Sequence, residues 1–326
     1  MDPRGFPTSL PEFERVFPDD DACARYLEAI RWSDGFACPK CGLVGDPYRF
    51  ATRSSVVLRC RGCKANTSLT AGTVMQSSHT SLSTWFWGAY LMTTQTPGQS
   101  AVQFQRQIAL TRYETAFQIL HKLRAGMVRH ERDTIGGEHP VEGDECYVGG
   151  ETRAEGRGTH HKATVVGAVE VRARQHDGKA HKRGIYAGRL RLRVVPNRSA
   201  ETLTDFVKEN LALGATVRTD GWIGYQGLPE IGCRHEALAL NGDPGKAEAH
   251  LPMIHLVFSN LKSWIMGTHH GRIEPKHLQA YLNEYVFRFN RRFYPMTAFN
   301  SILGIAARSV PPTYAQLYSG EWKHAS

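Results

Sequence analysis

Val141-Glu142-Gly143-Asp144-Glu145-Cys146-Tyr147-Val148 and, further along, Thr216-Val217-Arg218-Thr219-Asp220-Gly221 decide the fold of this chain. Each places an aspartate inside or at the end of a strand-like apolar run. A carboxylate in a core strand is costly to bury without a partner, and one divalent cation shared by two such aspartates would serve both. The chain around them is basic, with 40 Lys and Arg against 31 Asp and Glu and a formal charge of +9 over 326 residues. That excess favours a polyanionic partner. Together the two features point to metal-dependent chemistry on nucleic acid.

Working outward, the order of elements sets the fold class. The strand with Asp144 leads into a Gly- and charge-rich connection at 149–161, then strands at 163–171 and 190–195. A helix follows, capped at Ser199, with Leu203, Phe206, Val207 and Leu211 on one face. Next come the Asp220 strand, a short strand at 234–238 and a helix opening near Pro252. Three strands, helix, strand, helix is the layout of an α/β, RNase H-like domain, in which carboxylates at adjacent strand ends converge on two metal ions. This catalytic segment is expected over 136–310, with a tail at 311–326. Leu278, Tyr281, Leu282, Tyr285, Val286 and Phe289 share a helical spacing and predict a helix packed on the sheet. Glu142 and Glu145 flank Asp144 and are expected to alternate away from its face.

Upstream, Cys38-Pro39-Lys40-Cys41 and Cys60-Arg61-Gly62-Cys63 are separated by 18 residues. Each Cys-x-x-Cys knuckle presents two thiolates, and two knuckles close a tetrahedral zinc site. A zinc ribbon is therefore expected over about 34–68, within an N-terminal region 1–80. Seven cysteines, an odd number, argue for metal rather than disulfides; Cys23, Cys146 and Cys233 read as core packers. Region 81–135 is helical: an apolar run at 82–93, a break at Thr96-Pro97-Gly98-Gln99-Ser100, a helix capped by Ser100 through Leu110, and a third capped by Thr111. Short helix, turn and a helix bearing Arg112, Gln118, His121, Lys122 and Arg124 have the form of a helix-turn-helix DNA reader. No stretch approaches the roughly 18 apolar residues of a membrane span, and the start lacks a signal-peptide pattern. The expected location is cytoplasmic, at the nucleoid when bound to DNA.

Four stretches carry a family resemblance: Val141-Glu142-Gly143-Asp144-Glu145-Cys146-Tyr147-Val148-Gly149-Gly150, Asp220-Gly221-Trp222-Ile223-Gly224-Tyr225, Ser259-Asn260-Leu261-Lys262-Ser263-Trp264-Ile265-Met266-Gly267-Thr268-His269-His270-Gly271 and Phe287-Arg288-Phe289-Asn290-Arg291-Arg292. With the ribbon, they resemble the zinc-ribbon insertion-sequence transposases related to eukaryotic Merlin elements. The resemblance implies a DDE-type catalytic domain, recognition of terminal inverted repeats in double-stranded DNA, and cleavage or strand transfer with Mg or Mn, the chains acting as a homo-oligomer. By the same resemblance Asp144 and Asp220 match the first two catalytic aspartates.

The third acidic position is where this sequence departs from that pattern. Thirty-four residues separate Asp220 from position 255, which is histidine. Lys262 lies seven residues later, about 700 degrees of helical rotation, and returns to the same face; it is read as a phosphate contact. Asn260, rotated by about 140 degrees from His255, is the competing third ligand, with Glu248, Asp243 or no third ligand as further alternatives. A helix start near Pro252 would keep His255 neutral and able to ligate. Arg153, Arg157, His160, His161 and Lys162, together with Arg189, Arg191 and Arg193, are candidates for tracking the DNA backbone. A second reading keeps the ribbon and helices as a DNA-binding regulator whose catalytic domain survives as a scaffold.

Overall fold

The computed structural model describes residues 7–52, 56–129, 132–149, 162–174, 183–239, 243–271, 273–309 and 312–319. They form two compact units, one made of Met1–His130 with Arg291–Ser326, the other of Glu131–Asn290. Elements are numbered in chain order.

In the first unit, α1 (Leu10–Val16) and α2 (Asp20–Arg31) are capped by Ser9 and Asp19, whose side-chain oxygens accept from Glu12 N and Ala22 N. The ribbon follows as β1 (Tyr48–Ala51), β2 (Val56–Arg59) and β3 (Asn66–Ser68), antiparallel in that order. Then come α3 (Leu82–Thr94), α4 (Ala101–Gln107) and α5 (Tyr113–Ala125). Ser100 caps α4 as expected, but α4 stops at Gln107 because Ala109 takes a left-handed φ of 54°. The cap expected from Thr111 is corrected: Arg112 holds the N-cap of α5 and makes no side-chain cap bond. After the second unit the chain returns with α10 (Pro295–Ala306) and α11 (Tyr314–Ser319). Phe299 of α10 is fully buried among Phe13, Phe17, Tyr26, Phe86 and Tyr90, at centroid distances of 5.7 to 6.4 Å. This aromatic nest is why the catalytic segment, expected to reach residue 310, closes as a unit at Asn290.

The second unit is built on a five-stranded sheet. Its strands are β4 (Val141–Val148), β5 (Ala163–Ala173), β6 (Ile185–Val195), β7 (Thr216–Thr219) and β8 (Arg234–Ala237), in spatial order β6-β5-β4-β7-β8. The first three pair antiparallel; β7 lies parallel to β4, and β8 parallel to β7. Helix α6 (Ala200–Asn210), capped by Ser199, packs Leu203, Phe206 and Val207 on one face against Val141, Val166 and Val217. On the other face lie α8 (Pro252–His269) and α9 (Pro275–Phe289), whose Ile254, Val257, Phe258, Leu278 and Leu282 meet Val148, Val165, Val169 and Leu190. Helix α7 (Pro244–His250) leads into α8. This mixed α/β architecture is RNase H-like, preceded by a ribbon, as the order of elements implied.

The arginines of β6 do not form an open DNA track. Arg189 and Arg172 both pair with Glu170, a carboxylate only 1% exposed that also accepts from Gly136 N and Arg189 N. Arg191 is buried and donates to Asp133 O at 2.6 Å and Leu190 O at 3.1 Å, and Arg193 pairs with Glu209. Buried charges need such partners, so these guanidinium groups are engaged within the unit.

Candidate active site

Residues two apart on a strand share a face, so Glu142, Asp144, Cys146 and Val148 all point toward α8. Helix α8 begins at Pro252 behind Leu251, which offers no side-chain cap. Glu142 supplies the missing acceptor from the sheet: its Oε2 takes Met253 N at 2.7 Å and Ile254 N at 2.8 Å, and the residue is fully buried. The expectation that Glu142 turns away from Asp144 is therefore corrected by the strand's own period of two. One residue further along α8, His255 Nε2 donates to Asp144 Oδ2 at 3.0 Å, while Asp144 Oδ1 accepts from Glu145 N at 2.8 Å. The bond to Asp144 raises the imidazole's pKa against the opposing effect of burial. The helix start alone would push that pKa down; the carboxylate at hydrogen-bond distance pushes it up.

Asp220 follows the last residue of β7, next to β4 in the sheet. Its Oδ1 accepts from Trp222 N at 2.9 Å. Gly221 takes φ +79°, and a Cβ there would come within 3.2 Å of Ala239 N, so only glycine makes this turn. The β7 end is also held from the side: Thr219 Oγ1 and His235 Nε2 are 2.9 Å apart, and His250 Nε2 donates to Thr219 O at 3.1 Å. Glu145 faces away from α8, against Tyr225. Burial first, then the charges of Asp144 and Asp220, carry its carboxyl up to about 7, against the pull of Tyr225 and Arg198. Neither Glu145 Oε1 nor the buried Tyr225 hydroxyl makes a well-formed hydrogen bond among the described residues.

Asp144 on β4 and Asp220 just past the neighbouring β7 are oxygen donors of the kind a hard divalent cation such as Mg or Mn takes. His255 meets Asp144 alone. Among the described residues only the four cysteines gather three or more ligand atoms within 4.8 Å, so Asp144, Asp220 and His255 are not drawn together as one set. Asn260 and Lys262 are exposed on α8. Lys262 acts on Cys146, two residues past Asp144 on β4, whose thiol burial raises to about 12 and the ammonium pulls down. Asp243 accepts from Gly245 N and Lys246 N at the start of α7, a capping role. The Glu248 side chain lies outside the described residues.

The ribbon's two knuckles repeat one hydrogen-bond pattern. Cys38 N donates to Leu43 O and Gly42 N to Cys38 O; Cys60 N donates to Ala65 O and Lys64 N to Cys60 O. This brings Cys38 Sγ to 3.6 Å from Cys63 Sγ, and Cys41 Sγ to 3.7 Å from Cys60 Sγ. Four sulfurs each about 2.3 Å from a central zinc have tetrahedral edges of about 3.8 Å, so the cluster fits structural zinc. The Cys41 N–H, and after the opposing effect of burial that of Lys40, hold the Cys38 thiol down at about 6. Cys23, Cys146 and Cys233 are buried, as expected of core packers.

Residues 135–290 match the family model of the ISXO2-like transposase domain, and residues 18–66 match that of the transposase zinc-ribbon domain. The chain belongs to this family of zinc-ribbon transposases. No curated protein and no solved structure matches it.

In this transposase the helices read as a DNA reader present few of the side chains expected to do the reading. His121 and Arg124 on α5 are 4% and 1% exposed, and Arg124 Nη2 donates to Gln99 O at 3.0 Å. Lys122 is half-buried, its amine pKa lowered by burial, and donates to Gln76 O at 3.3 Å. The apolar stripe of a three-turn helix took these neighbours inside. Arg112 is exposed. Arg153, Arg157, His160 and His161 lie outside the described residues, whereas Lys162 stands half-exposed just before β5. The residues passed over in the sequence are Glu142, Arg198, Trp222 and Tyr225. The i, i+2 relation to Asp144 was the available signal for Glu142, and the aromatic run after Asp220 for Trp222 and Tyr225.

Proposed function

We propose that this transposase binds the terminal inverted repeats of an insertion sequence and catalyses phosphodiester cleavage and strand transfer at Asp144 and Asp220. The observation that carries the reading is the pairing of Asp144 with His255 at 3.0 Å, on a strand whose parallel neighbour leads directly into Asp220. Two divalent ions, when bound, supply activation of the attacking hydroxyl and stabilisation of the leaving oxygen. Asp144, midway along β4, and Asp220, just past the end of β7, would hold them from neighbouring strands. His255 orients the Asp144 carboxylate. Lys262, exposed on the same side, takes a phosphate near the cut, and Arg112 and Lys162 take backbone phosphates, in keeping with a chain of +9. The zinc-held ribbon adds a second DNA contact, and two chains cooperate to hold two ends.

The test is cleavage of labelled terminal DNA. Asp144→Ala and Asp220→Ala are each expected to abolish cleavage while leaving end binding nearly intact, because binding rests on phosphate contacts made elsewhere. Near wild-type cleavage by either variant would overturn the assignment. End binding without cleavage by the unmodified protein, at any Mg or Mn concentration, would favour a regulator instead.

A further inference from the structure

We propose, on the cleavage reading above, that the rim of the active site seats one unpaired nucleobase beside the scissile phosphate, stacked on Trp222 and flanked by Arg198 and Tyr147. Trp222 lies two residues after Asp220 and is tied down at both ends. Its backbone N–H donates to Asp220 Oδ1 at 2.9 Å, and its indole N–H donates to Arg198 O at 3.2 Å. The ring nonetheless stays 38% exposed, and Ile223 beside it is 65% exposed.

Arg198 joins this indole to a second aromatic. Its guanidinium lies 4.5 Å from the Trp222 ring centroid and 6.0 Å from that of Tyr147, itself 37% exposed. Tyr147 stands on β4 three residues past Asp144, on the face it shares with Glu145, so the two aromatics flank the cation on the Glu145 side of the Asp220 turn. The seat under the indole is shaped for it. A Cβ on Gly224 would come within 3.0 Å of Trp222 Cδ1, 3.0 Å of Arg198 O and 2.8 Å of Leu203 Cδ1, so the glycine allows the ring and the Arg198 carbonyl to close together.

A single exposed aromatic is ordinary on a protein surface. An exposed indole whose polar groups are satisfied, fastened to a catalytic aspartate and backed by a guanidinium, has a chemistry of its own: an aromatic face with a cation beside it stacks bases and pairs with phosphate. Bases inside a duplex already stack on their neighbours and offer no free face, so the occupant is a base taken out of pairing. Opening a pair beside the scissile phosphate exposes the backbone to Asp144 and Asp220, and stacking on Trp222 offsets the unstacking.

The experiment compares cleavage of labelled element ends that are fully paired with ends mismatched at the pair flanking the cut. Trp222→Ala is expected to slow cleavage of paired ends roughly 5- to 100-fold and to recover most of that loss on mismatched ends. Trp222→Phe, which keeps a stacking face in the same seat, should retain most of the activity on both. In parallel, 2-aminopurine placed next to the flanking position in the same strand, which loses a stacking neighbour when the flanking base leaves the helix, should brighten on binding the unmodified protein and Asp220→Ala, and should not brighten with Trp222→Ala. Equal rates for Trp222→Ala and the unmodified protein on paired ends, or an equal loss on paired and mismatched ends, would overturn the base seat. Cleavage by Asp220→Ala would instead overturn the catalytic assignment, leaving the fluorescence signal to judge the seat by itself. Loss of end binding by Trp222→Phe together with Trp222→Ala, with no fluorescence change for the unmodified protein, would mark the rim as a docking face for another macromolecule and likewise overturn the seat.

Discussion

Replacing Glu142 by alanine should loosen the first turn of α8 and, with it, the approach of His255 to Asp144. The carboxylate takes two N–H groups, of Met253 and Ile254, at 2.7 and 2.8 Å in a fully buried position, and Leu251 at the N-cap offers nothing in its place. A buried donor left without a partner costs about 1–3 kcal/mol, and a carboxylate at a helix N-terminus contributes about 0.3–1 kcal/mol. Against this, burial raises the pKa of Glu142, so part of the gain is spent on desolvating the carboxylate. A net cost of about 2–4 kcal/mol for opening that turn corresponds to roughly 30- to 1,000-fold loss of hydrogen-exchange protection. Peptide-resolved exchange over residues 251–258 reads it directly. Glu142→Gln keeps a carbonyl oxygen for the two donors and should retain more than half of the protection. Cleavage by the alanine variant should fall with protection. Unchanged exchange at Met253 and Ile254 in Glu142→Ala would refute the reasoning, since no other side chain caps this turn.

Three further outcomes are expected. Cys60→Ser should lose the zinc, about one ion per chain by elemental analysis, and unfold the ribbon while residues 131–290 keep their exchange protection. His255→Ala should slow cleavage about 10- to 100-fold with Asn260→Ala close to normal, and His255→Gln, whose amide can still donate to Asp144, should lose less than the alanine variant; cleavage by all three over a manganese and magnesium titration separates the assignments. Glu170 is held at about 2, the bonds from Arg189 and Arg172 overcoming burial, against an ordinary 4.5. Because the folded value is the depressed one, its stabilisation is complete above pH 4.5 and is lost as pH falls from there toward 2, on the order of 3 kcal/mol. Denaturation midpoints across that window should drop for the unmodified protein and stay flatter for Glu170→Gln.

The order of strands and helices around Asp144 and Asp220 was legible because each element carried its own periodicity and caps: Ser199 and Ser100 sit where their hydroxyls meet helix N–H groups. Spacing alone put His255 on a helix facing the strand of Asp144, where its Nε2 meets Oδ2. The upward direction of its pKa shift was not legible, since a helix start says nothing of a carboxylate 111 residues away in sequence. The basic side chains misled for a related reason. Composition counts Arg124, Arg189 and Arg191 as surface charge, whereas their partners, Gln99 O, Glu170 and Asp133 O, are made adjacent only by the fold. Glu142 was misread by applying alternation to a residue two positions away, where the strand period restores the same face.

The return of α10 to the first unit sets an order on the protein's birth. Phe13, Phe17, Tyr26 and Phe86 leave the ribosome with their nest lacking Phe299, and the 160 residues of Glu131–Asn290 must be made before it arrives. At 5–20 residues per second that is roughly 10 to 30 s. The unit that carries Asp144 and Asp220 is thus complete in the chain before the unit that carries the cysteine cluster can close around Phe299, and a message cut short after Asn290 would yield an RNase H-like fold attached to an open aromatic cup.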